Sequence, residues 1–171
     1  MGCDIHAFIE YVYEGDTFTN TFSDGEIHFG RNYTLFSLLA GVRGMEQPVV
    51  SPRGFPDDCV ARGDSSVFKS NWIVAEKYAE YGSDAHTPTW LTLDELKKVR
   101  SLFIKEQLEF NSVSDSATWK LANDRNVMNS IFTHTFGEHE NSGLYLSIVI
   151  LESLKKINPN IKSRLVCWFD S

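Results

Sequence analysis

The sequence predicts an α+β fold: one domain over residues 1–171, terminal strands in a central sheet, and roughly three to four helices packed on it. Three observations carry that expectation. Residues 3–13 alternate with period two, the chain closes in the apolar run RLVCWF, and the segments between repeat their apolar residues at helical spacing. A length of 171 residues suits about one domain. With 42% apolar and 23% charged residues the composition is globular, and no internal repeat divides it.

In the first strand Cys3, Ile5, Ala7, Ile9 and Tyr11 share one face, and Asp4, His6, Phe8 and Glu10 share the other. TFTNTF and EIHF, separated by SDG, predict a hairpin, because Asp-Gly supplies the positive φ angles of a tight turn. A helix opens at Asn32 and carries Leu35, Leu38, Leu39 and Val42 on one face, with Gly44 as its stop. Residues 45–70 hold Pro48, Pro52 and Pro56 with Gly54 and Gly63, which excludes a continuous helix or a central strand.

NWIVAEKYAEY predicts a short helix ended by Gly82, followed by a loop over Asp84–Pro88. Thr92 and Glu95 form a capping box for a helix running to about Glu109, with Leu96, Val99, Phe103 and Ile104 inward. Residues 111–141 are polar and irregular. An amphipathic helix follows over 143–157, ended by Asn158-Pro159, and the final strand leads to Asp170.

There are 16 Lys+Arg against 23 Asp+Glu, a net charge of −7. Such a surface opposes nucleic acid and anionic membranes unless cations collect in one cleft. The three cysteines are dispersed and show no CxxC, which predicts reduced thiols and a cytoplasmic protein. The greasiest stretch, near Leu144–Leu154, is too short and too interrupted to span a bilayer, and the N-terminus lacks the apolar run of a signal peptide. Homo-oligomer formation is left open. No GxxxxGK[ST], GxGxxG or GxSxG element is present.

The chemistry-bearing residues fall into a few groups. Asp4 and His6 sit two apart on one strand face, so the acid could orient the imidazole and fix its tautomer. A strand-end cap and a core hydrogen bond would account for the same pair. Asp84 and His86 repeat the spacing in a polar loop near a helix start. Together they are enough for one divalent metal ion, with the geometry open, or for general acid–base pairs in phosphodiester hydrolysis. HTFGEH has the wrong spacing for a zinc protease and reads as a surface loop.

Arg31, Arg43 and Arg53 lie next to glycines in a chain short of cations, and a guanidinium fork matches phosphate or carboxylate. Asn32, Tyr33, Asp57 and Trp90 complete the candidate ligand-binding residues, the aromatics as stacking surfaces for a base.

The sequence resembles a family of small, largely uncharacterised bacteriophage and bacterial proteins. The family's members tend to open MGCDIH and to carry GRNY..F..LAGVR, PRG.P.D, D.H..WLT..EL and a closing WFD. The matching blocks here are Met1–His6, Gly30–Arg43, Ser51–Asp57, Asp84–Leu96 and Arg164–Asp170. The resemblance spans the chain, and its blocks contain nearly all the residues singled out above. It implies one shared Asp/His/Arg-lined pocket, and for a phage-type protein it implies a phosphorylated nucleotide-like ligand, such as a host immune signal sequestered or cleaved. A metal-dependent phosphodiester hydrolase and a non-enzymatic inhibitor of a host protein are the alternatives.

Overall fold

A computed structural model describes residues 2–12, 19–21, 26–57, 72–114 and 142–171. Its centre is an antiparallel sheet of order β2-β1-β4-β3. The strands are β1 (Asp4–Val12), β2 (Thr19–Thr21), β3 (His86–Leu91) and β4 (Lys162–Asp170). The terminal strands pair along their full length, from Asp4 opposite Asp170 to Val12 opposite Lys162. The α+β expectation of terminal strands at the centre of one sheet, with helices packed on it, therefore holds.

Strand alternation sorts side chains onto two covered faces. On one, Ile5, Ala7, Ile9, Leu165, Cys167 and Phe169 meet helices α1 (Tyr33–Ala40), α3 (Leu93–Ser114) and α4 (Ser142–Ile157). Phe36 of α1 packs edge-on against Phe169 at 5.2 Å, and Leu96, Val99, Phe103, Leu144, Ile148 and Leu151 complete this core. On the other face Phe8, Val166 and Trp168 lie under α2 (Trp72–Glu80) and the loop bearing Phe55, with Val74, Tyr78 and Trp90 against them. This second face also carries the polar residues His6 and Glu10, both buried.

Local chemistry explains most element ends. The Asn32 side chain caps α1 by accepting from the Leu35 amide at 3.0 Å. Gly41, at φ 70°, closes α1 in the left-handed conformation open to glycine, so Val42 and Gly44 lie beyond the helix predicted to include the one and stop at the other. The Thr92–Glu95 box forms as expected: Thr92 N–H donates to Glu95 at 2.8 Å and Glu95 N–H to Thr92 Oγ1 at 3.4 Å. Helix α3 continues past Glu109 to Ser114.

Two expectations change. Residues 86–88 were expected in a loop and instead open strand β3. Proline is tolerated there because β3 is an edge strand, and a register shift between His86 and Thr89 takes up the irregularity. Arg53 and Gly54 bind this edge, the first through its amide to Thr89 Oγ1 and the second through its amide to the Pro88 carbonyl. In the predicted hairpin, Thr19–Thr21 pairs with β1 as β2, whereas EIHF is no strand and docks through Ile27 N–H to the Ala7 carbonyl. The SDG turn, Asp58, Cys59, Gly63, Trp119 and the HTFGEH stretch lie outside the described residues.

Candidate functional site

The paired ends of β1 and β4 create the site. Cross-strand register places Asp4 opposite Asp170 and His6 opposite Trp168, on the face away from α1. The His6 ring stacks on Trp168 at 5.3 Å with 19° between planes, and Tyr81, just after α2, lies against it at 4.4 Å with its ring tilted by 51°. Trp168 is in turn stacked on Phe8 and braced edge-on by Phe55 and Tyr78. The imidazole is thus held against two aromatic rings above the sheet.

Both ring nitrogens of His6 face carboxylates. Nδ1 lies 2.8 Å from Glu26 Oε1 and Nε2 lies 3.4 Å from Asp170 Oδ2. Burial works against the charged ring, but the bonds and charges of Glu26 and then Asp170 outweigh it, so the His6 pKa is raised above 6.5. With both nitrogens protonated, each has a carboxylate acceptor. Asp170 is itself positioned by accepting from the Asp4 backbone N–H at 3.0 Å.

Asp4 does not face His6 as an orienting partner. Its carboxylate takes a two-pronged bond from Arg31, Nε to Oδ1 at 2.8 Å and Nη2 to Oδ2 at 2.6 Å. That bond, ahead of the opposing effect of burial, holds the Asp4 carboxyl below its ordinary value. Gly2 lies against the Arg31 guanidinium, where a Cβ would meet it. The phenol of Tyr81 is pushed up by burial and then by the Glu26 and Asp170 charges.

These groups line a cleft of about 430 Å³ together with Ile5, His28 and Gly30. Its charged walls are the carboxylates Asp4, Glu26 and Asp170 against Arg31 and, where it is protonated, His6. Carboxylates outnumber cations in either state of His6, with Arg31 already engaged. A polyphosphate finds little here, whereas hydroxyl and amino groups find acceptors on Glu26 and Asp170.

No protein-family model, curated protein or solved structure matches this chain. What it does therefore has to be read from its own side chains.

The residues singled out in the sequence fall in several places rather than one pocket. Asp4, His6 and Arg31 line the strand-end cleft. Asn32 is the α1 cap, and Tyr33 begins that helix with its ring edge-on to Phe36. Arg43 follows α1 at φ 62° and approaches the Cys3 thiol. Arg53 lies over the Trp90 ring at 3.7 Å and donates to the Trp90 carbonyl and to Glu95, so it braces the α3 start. Arg53, Asp57 and Trp90 border a separate hollow with Phe55, Pro56 and Arg164.

Asp84 and His86, expected together in one polar loop, are separated. Asp84 is exposed on the short 3-10 turn Gly82–Asp84, and His86 stacks at 6.2 Å on Phe169, on the sheet face opposite His6. The His86 ring also meets its neighbour Thr87 Oγ1 at 2.9 Å. Among the described residues no group of three or more His, Cys, Asp or Glu is arranged to hold a metal ion. The reason is visible at His6, whose nitrogens point to two different carboxylates instead of sharing a centre with them.

Glu26, His28, Tyr81 and Asp170 are site residues that the sequence reading did not assign. Glu26 and His28 had a signal: in EIHF they alternate with Ile27 and Phe29, which are buried while they stay exposed. Asp170 became a site residue only once β4 was placed antiparallel to β1.

Proposed function

We propose that the protein binds a small nucleotide-like ligand in the strand-end cleft, through its hydroxyl and amino groups more than through its phosphates. The observation that carries this is the His6 ring held against Trp168 and Tyr81 with Glu26 and Asp170 at its nitrogens. Carboxylates held this way accept hydrogen bonds from vicinal sugar hydroxyls or a base amino group. Arg31 and His28 stand at the same cleft for a single phosphate. Its size falls in the ordinary range of about 300–1,000 Å³ for small-molecule sites.

A second reading, cleavage of the ligand, is favoured by one feature. The raised pKa extends the pH range over which His6 carries its proton, and in that form it can pass the proton to a leaving oxygen and recover it from water. For a phage-type protein, both readings amount to removing a signalling nucleotide, by retention or by destruction.

The test incubates the purified protein with linear and cyclic nucleotides, with and without divalent metal, and follows solution and heat-released ligand by mass spectrometry. Retention of intact nucleotide, reduced about tenfold or more in His6→Gln, is the expected outcome for loss of a charge-assisted contact. New products that disappear in the same variant would establish the cleaving form. No depletion and no product would overturn the proposal.

A further inference from the structure

A second cavity lies at the other end of β1 from His6. It has a volume of about 590 Å³ and sits where β1 ends at Val12 and β4 begins at Lys162. The nearest lining residues of the two sites on β1, His6 and Glu10, are four residues apart, on the order of 13 Å, and no residue lines both.

We propose that this cavity is a second binding site, for a flat apolar molecule carrying one anionic group. Trp90 supplies a half-buried ring, and Val12 and Leu93 extend the apolar wall. Arg53 lies over the Trp90 ring at 3.7 Å, and Arg164 stands 5.9 Å from its centre, so the indole is fixed before any ligand arrives. The charges then select the sign. Arg164 is bonded through Nε to the fully buried Glu10 at 2.7 Å, and these two cancel. Lys155 and Lys162, both exposed at the cavity, outnumber the remaining carboxylate, Asp94.

One net positive charge beside an indole matches one anion on a planar body. Ser163 also borders the cavity, as part of strand β4. The inference does not rest on the proposal for the strand-end cleft.

The experiment follows the Trp90 indole N–H signal by two-dimensional NMR, assigned with Trp90→Phe, during titration with three probes. Indole-3-acetate offers a ring and a carboxylate, adenosine 5′-monophosphate a ring and a phosphate, and tryptamine a ring and a cation. The expected result is a saturable shift with at least one anion and binding about tenfold weaker or less for tryptamine. The two anions separate carboxylate from phosphate preference. Lys155→Gln with Lys162→Gln, both surface changes, should weaken the anion about tenfold, while His6→Gln leaves it unchanged. A Trp90 signal unmoved by either anion, equal binding of tryptamine, or loss of binding in His6→Gln would each overturn it.

Discussion

Replacing His6 by Phe isolates the electrostatic part of the strand-end site. Phenylalanine keeps a ring against Trp168 and Tyr81 and removes both carboxylate contacts. The 2.8 Å bond to Glu26 is the main loss, since the 3.4 Å approach of Asp170 is too long to add much. A charge-assisted bond contributes about 1.5–3 kcal/mol when buried. The Glu26 side chain is 34% exposed, so solvent screening lowers the expected loss to about 1–2 kcal/mol.

The pH dependence has a definite sign. The folded pKa of His6 is raised above its unfolded value near 6.5, so folding favours the protonated ring. Its stabilisation is complete below that unfolded value and is lost as pH rises through the raised folded value. Urea unfolding of both proteins from pH 5.5 to 9 measures this. The wild-type advantage over His6→Phe should be largest at the acid end and shrink with rising pH. An advantage that is flat, or that grows toward pH 9, would refute the assignment of an imidazolium between two carboxylates.

Four further outcomes follow from the packing and the helix cap. Gly143→Ala should destabilise by about 1–3 kcal/mol, because its Cβ would collide with the His28 backbone carbonyl and the Phe29 ring; chemical denaturation reads the loss, and the His6 titration should shift as segment 26–30 is pushed away. Thr92→Ala should cost about 1 kcal/mol by removing the α3 cap. At the same cap, burial tends to raise the Glu95 pKa, but the Thr92 amide and Arg53 outweigh it, so Glu95 contributes stability above about pH 4.5 that is lost as pH falls through its lowered value; Glu95→Gln should flatten that acid limb. Cys167, fully buried and with its thiol pushed up to about 12, should resist thiol reagents at pH 8 until the protein unfolds, which a timed labelling experiment under increasing urea would show.

The elements most legible in the sequence were those whose signals are local. Strand β1 announced itself by alternation, α3 by the Thr92–Glu95 box and α1 by Asn32. Strand β3 was hidden because its start carries Pro88 and a register shift, and only the edge position in the sheet makes that acceptable. The site was half legible for a related reason. Asp4, His6 and Arg31 lie in the chain segments that meet at the cleft, but Asp170 is brought in by pairing across 166 positions of sequence, and Tyr81 by the packing of α2. Residue type marked Asp84 and His86 as a second pair, whereas backbone direction separates them: one is on an exposed turn and the other faces Phe169.

The central claim is that a nucleotide-like ligand is read by the groups around His6. The most direct measurement is the NMR signal of the His6 ring Cε1–H, assigned with His6→Gln, during titration with adenosine, adenosine 5′-monophosphate and a cyclic dinucleotide. A saturable shift with at least one of them, weakened by Glu26→Gln, is the result this account predicts. A His6 signal that stays fixed while nucleotides bind elsewhere on the protein would contradict it.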